Sequence, residues 1–144
     1  DDGLIEMEYG DWSGKKLLAL SRKKMWSEIQ ARPSLVRFPN GESFLEMQGR
    51  SLESVKSLAI PGAEILVCSH GDVIKAIVAG LVGLHLDNFQ RLTIDPASIT
   101  VIDLFAESAQ IRLMNSTVHL KEPKGLSTGS SKLNLGGGSG TKSK

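Results

Sequence analysis

The sequence predicts an α/β fold, and two stretches carry that expectation. In residues 64–80, "EILVCSHGDVIKAIVAG", an aliphatic run, a Ser-His-Gly turn and a second apolar run follow one another directly. Residues 65–68 are short, mostly aliphatic and bounded upstream by Pro61-Gly62, which fits an interior strand with Cys68 as a small buried hydrophobe. Val73, Ile74, Ile77, Val78, Leu81 and Val82 then recur at the spacing of a helix buried along one broad face, and Gly83 is its stop signal. Further on, "ITVIDLFA" (99–106) and "AQIRLM" (109–114) are rich in β-branched and aliphatic residues and joined by a tight connection. They read as an antiparallel pair.

The other elements follow from the same signals. "DWSGKK" (11–16) is turn-like, and Ser13 is a candidate cap for a helix over 16–30. Leu17, Leu18, Leu20, Met25, Trp26 and Ile29 would form its apolar stripe, with Arg22, Lys23 and Lys24 on the wet side. "RPSLVRFPNGES" (32–43) holds two prolines and an Asn-Gly and reads as loop. A second helix is expected over 43–58, carrying Phe44, Leu45, Leu52, Val55 and Leu58. "LHLDNFQRLTIDPAS" (84–98) reads as loop with short extended pieces. Residues 1–120 are thus expected to form the domain. Residues 121–144, made largely of Gly, Ser, Lys, Thr and Pro, are expected to be a disordered tail.

Composition narrows the function classes. A chain of 144 residues that is 40% hydrophobic and 23% charged is an ordinary single domain. Its net charge of +1 divides into +4 from Lys121 onward and −3 in the body, and a mildly acidic body does not suggest a nucleic-acid surface. The lone cysteine permits no internal disulfide, so a reducing, cytoplasmic location is expected. The apolar run around residues 74–84 is interrupted by Lys75 and too short to span a bilayer, so no membrane partner is expected. The chain opens "DDGLIEMEYG" without a methionine, which reads as an N-terminally truncated piece of a longer product.

Among candidate chemical groups, several fail on spacing. A cysteine-phosphatase loop needs an arginine six residues after the cysteine, where Ile74 stands. A hydrolase elbow around Ser69 needs glycine at Val67. His70, His85 and His119 show no metal-ligand spacing, and neither a metal nor another cofactor is expected. His70 sits where a strand's carboxyl end would meet a helix's amino end, a place that favours anions. Alone it reads equally as an inert turn histidine, and Glu6 alone reads as an exposed glutamate in an extended segment. Together they supply a proton donor for a leaving oxygen and a donor to phosphate oxygens.

Three ordered blocks add to this reading. "LIEMEYGDWSGK" (4–15), "FPNGESFLEMQGR" (38–50) and "ILVCSHGDVIKAIVAGLVG" (65–83) resemble the histidine phosphatase superfamily, which includes phosphoglycerate mutases and many phosphomonoesterases. "DPASITVIDLF" and "MNSTVHL" resemble its last strands. The resemblance implies a phosphoglycerate mutase-like mixed sheet flanked by helices. It also implies Glu6 as proton donor and His70 as the histidine that hydrogen-bonds the phosphate. Tyr9 and the backbone at Gly71 and Asp72 would line the substrate pocket, and Glu42 and Arg50 would be mainly structural. The family's nucleophile is a histidine in an Arg-His-Gly motif, and no histidine precedes His70 here. The resemblance therefore implies a phosphomonoesterase acting on a small phosphorylated metabolite through a phosphohistidine, whose nucleophile is absent from this chain. The short separation of Glu6 from Gly41 favours that activity over a phosphomutase. A non-catalytic phosphate-binding or interaction module is the alternative from another class. Oligomeric state is left open.

Overall fold

The computed structural model describes residues 1–120, and the expected tail, residues 121–144, lies outside them. The stripe expected to form one helix over 16–30 folds as two, α1 (Leu17–Leu20) and α2 (Lys24–Ala31). Ser21 makes the break: its hydroxyl donates to the Leu18 carbonyl, and the backbone is extended by Lys23. A serine that bonds to its own preceding turn offers the chain an alternative to helix continuation. Ser13 does not cap α1, which starts after Lys16 without a side-chain cap. Ser13 instead closes the 3-10 turn Gly10–Trp12. The stripe still buries Leu20 and Ile29, and Trp26 stacks on Trp12 with centroids 6.5 Å apart.

Helix α3 (Phe44–Leu58) begins as expected at Ser43 with a reciprocal capping box. The Ser43 hydroxyl accepts from the Glu46 N–H, and the Glu46 carboxylate accepts from the Ser43 N–H at 2.8 Å. That backbone bond, with the Arg37 guanidinium beside it, holds the Glu46 carboxyl down at about 2. Helix α4 (Gly71–Leu81) also stands where the periodicity put it. It ends in a Schellman arrangement: Gly83 takes a φ of +69°, and the Leu84 N–H donates back to the Ala79 carbonyl at 2.8 Å. The two helices pack closely. A Cβ added to Gly80 would lie 2.5 Å from a Leu52 methyl, and the Gln48 amide donates across the interface to the Ala76 carbonyl. Beneath them Trp12, Phe38, Phe44 and Phe89 form a continuous run of ring contacts, mostly edge-on.

Residues 84–98 are less extended than expected. Leu86–Arg91 forms a 3-10 helix that buries Leu86 and Phe89. His85 starts it by accepting from the Asp87 N–H, and the Asp87 carboxylate in turn accepts from Ser34 at 3.0 Å.

Strands β1 (Ile99–Leu104) and β2 (Ala109–Ser116) form the expected antiparallel pair, with Ile102 opposite Ile111, and they are the only sheet among the described residues. Residues 65–68 depart from expectation. They take no regular secondary structure, and no strand pairs with them among the described residues; Leu66 is 89% exposed, and Cys68 is exposed rather than buried. The interior strand expected there does not form among the described residues, because a strand forms its ladder only against a neighbour.

Candidate functional site

Arg50, on α3, builds the floor of the site. Its guanidinium grips the Glu42 carboxylate through two bonds of 2.9 and 2.7 Å, a bidentate pair. Its remaining donor capacity goes to backbone: Nη1 to the carbonyls of Gly3 and Ile5, Nη2 to that of Glu6. An irregular segment is thereby held by side-chain bonds in place of a ladder. Glu42 holds the next residues, since its carboxylate accepts from the Glu8 N–H and its own N–H donates to the Glu8 carbonyl. The two loops meet so closely at Gly10, where φ is +50°, that a Cβ would lie 2.2 Å from the Pro39 carbonyl oxygen. Only glycine fits that turn.

The second half of the site is brought in by Ser69. Its hydroxyl donates to the Leu4 carbonyl at 2.7 Å, joining segments 65 residues apart. The next residue, His70, is the N-cap of α4 and leaves its ring out of the cap. His70 Nδ1 consequently lies 3.6 Å from Glu6 Oε2, with both side chains partly open to solvent. Glu6 Oε1 accepts from the Met7 N–H at 2.9 Å. Burial raises the Glu6 pKa above the ordinary carboxylate value. The Met7 N–H and the charges of His70 and Arg50 pull the other way, and Asp72 adds to the rise. The arrangement offers a carboxyl group biased toward its protonated form beside an imidazole at the start of an 11-residue helix.

Tyr9 rests edge-on against Phe38, with centroids 5.2 Å apart, and burial pushes its hydroxyl pKa upward. Glu6 and Tyr9 open onto a cavity of about 210 Å³ completed by Trp12, Ser13, Gly14, Lys15, Leu17 and Leu20. Gly71 and Asp72 lie in the first turn of α4 but do not line this cavity, and the Asp72 carboxylate is turned into the protein against Lys75. The structure therefore brings Glu6 to His70 and Tyr9 to Glu6's cavity, and keeps the Asp72 side chain below. The cavity's far wall at Trp12, Ser13 and Lys15 was missed in the sequence, where "DWSGK" signalled only a turn. The positioning role of Ser69 was missed too, because nothing in the local sequence points to Leu4. Among the described residues, no group of three His, Cys, Asp or Glu side chains is placed to hold a metal ion. No helix there is long and apolar enough to cross a membrane.

Comparison with known proteins identifies the family and the fold. The family model described as histidine phosphatase superfamily (branch 1) matches residues 1–117. The chain is 30% identical over 130 residues to phosphoserine phosphatase 1 of Hydrogenobacter thermophilus, covering 85% of this chain and 60% of that protein. It shares the fold of the α-ribazole phosphatase of Shigella flexneri, with a TM-score of 0.67 at 24% identity over 81% of this chain and 59% of that one. A mycobacterial glucosyl-3-phosphoglycerate phosphatase solved with inorganic phosphate gives 0.68 at 24% identity, over 84% and 66%. The chain spans about three fifths of the length of the curated relatives it matches first.

Proposed function

We propose that this chain, which belongs to the histidine phosphatase superfamily, carries the proton-donor half of a phosphomonoesterase that works on a small phosphorylated metabolite through a phosphohistidine. The observation that carries the reading is the meeting of Glu6 with His70 at the start of α4. The phosphatase names of its relatives support hydrolysis over phosphomutase chemistry. In this reading the nucleophile is a histidine other than His70, His85 and His119, in the part of the relatives' length that this chain does not span. That imidazole attacks phosphorus, the P–O bond to the alkoxide breaks, and Glu6 gives the alkoxide its proton. Water then attacks the phosphohistidine, Glu6 takes a proton from it, and the P–N bond breaks to release phosphate and the free imidazole. His70 donates to the non-bridging oxygens as their charge spreads in the transition state. Tyr9 and the backbone of Gly71 and Asp72 border the substrate. The enzyme works in the cytoplasm, in keeping with a lone cysteine that has no partner for an internal disulfide.

The test is Glu6→Gln in the full-length protein, assayed on an alkyl and an aryl phosphate. An alkoxide needs a proton to leave and a phenolate hardly does. The variant should therefore lose roughly 100-fold or more on the alkyl ester and far less on the aryl one. Equal losses on both would remove Glu6 from the proton-transfer role. A wild-type protein that binds phosphate without turning over either ester would favour the non-catalytic module.

A further inference from the structure

Glu6 forms part of the wall of the cavity of about 210 Å³, and Trp12, Leu17 and Leu20 give that cavity its apolar surface. A proton donor serves the oxygen that leaves, so the alcohol that owns this oxygen has to lie beside Glu6. The space is below the roughly 300–1,000 Å³ of pockets for drug-sized ligands, which limits the alcohol to a small one. Besides Glu6 and Tyr9, the polar side chains on the wall are Ser13 and Lys15. Burial biases Glu6 toward its neutral form, so Lys15 is the lasting charge of this cavity. Its surroundings leave that charge unanswered. The chain carries five cations and no carboxylate side chain between Asp11 and Glu28. Asp11 is bonded by the Asn40 amide at 3.1 Å, and Glu28 pairs with Lys24 at 3.9 Å. The Lys15 ammonium has no ion-pair partner among the described residues.

We propose that the leaving alcohol occupies this cavity and carries a carboxylate of its own, which Lys15 binds, so that Lys15 selects the substrate. This rests on the reading of Glu6 as the proton donor to the leaving oxygen. One ammonium with a neighbouring hydroxyl matches a single negative charge, which a carboxylate supplies. A second phosphate dianion would ask for more cations than the wall holds. The short apolar surface at Trp12, Leu17 and Leu20 fits the carbon chain between the ester oxygen and that carboxylate. Lys16 is the natural comparison: it is adjacent, equally cationic and exposed, and it is not on the cavity wall.

Two esters of nearly equal shape test this in the full-length protein: 3-phosphooxypropanoate, which carries a carboxylate, and its neutral amide, 3-phosphooxypropanamide. Wild type should favour the carboxylate about tenfold in kcat/KM, mostly through KM, as expected of one solvent-screened ion pair at short range. Lys15→Met should bring that ratio to about one. Lys15→Glu should turn the preference toward 3-aminopropyl phosphate, whose far end is a cation. Lys16→Met removes the same charge one residue away and should keep the wild-type ratio. A ratio of two substrates does not depend on the fraction of protein that folds, so each variant gives a clear reading. A wild-type ratio near one overturns the proposal. So does a Lys16→Met ratio that falls as far as that of Lys15→Met, which would make Lys15 part of a general field. In both cases the esters are still hydrolysed and the phosphomonoesterase reading stands. Wild type that hydrolyses neither ester would overturn that reading and this one together.

Discussion

The helical body and the extended parts of this molecule solve the same burial problem with different success. Phe38, Phe44, Ile29 and Met47 are fully buried between α2, α3, α4 and the 3-10 helix at Leu86–Arg91. By contrast Ile60, Leu66, Val101 and Phe105, in and around residues 60–68 and the hairpin, remain exposed. A helix satisfies its backbone within its own segment, so it needs only an apolar partner for one face. A strand needs a neighbour for its hydrogen bonds before either face can be covered. The candidate site lies on the seam between the two regimes. Arg50 fixes Glu6 from the helical side, and Ser69 fixes His70 at the end of the irregular side.

Substitutions of graded severity sharpen this contrast. Phe44→Ala removes a ring that touches both Phe38 and Phe89, and should cost about 3–5 kcal/mol in a denaturant melt. Loss of under 1 kcal/mol would mean that the ring run does not hold the body together. Ser43→Ala takes away the α3 cap and should cost about 1 kcal/mol. The contribution of Glu46 is read by pH. Its folded pKa is depressed, so the stability it adds is present above the ordinary carboxylate value and is lost as pH falls toward about 2. In Glu46→Gln that part of the acid sensitivity should disappear. Leu66→Ser, on the irregular stretch, should change stability by no more than about 0.5 kcal/mol, and native Cys68 nearby should react with iodoacetamide without unfolding. A protected Cys68 would show that this stretch is covered in solution.

The same division explains what could be read from the sequence. Both long helices were legible because their signals are local: the apolar positions Phe44, Leu45, Leu52, Val55 and Leu58 for α3, the apolar stripe and Gly83 for α4. The hairpin was legible because its two strands are sequence neighbours. The break at Ser21 was not, since one hydroxyl bond to Leu18 decided it against a good apolar pattern. Exposure of Cys68 was not either, because an apolar run states what a segment would bury and not whether a partner lies beside it. At the site, Glu6, Tyr9 and His70 were found by residue type and by resemblance. The bonds that bring Glu6 and His70 together, from Arg50 and Ser69, span 44 and 65 residues and leave no local trace.

The central claim is that His70 acts on a phosphoryl group and does not merely fill the turn before α4. It is tested most directly by His70→Ala in the full-length protein, with turnover of an alkyl phosphate and a denaturant melt measured on the same preparation. Half of the His70 side chain is open to solvent and it makes no cap bond, so stability should change by no more than about 1 kcal/mol. The rate per folded molecule should fall about 100- to 1,000-fold, as when one donor to a transition-state oxyanion is removed. Near-normal turnover by a folded His70→Ala protein would contradict the account and leave the histidine as a structural feature of the turn.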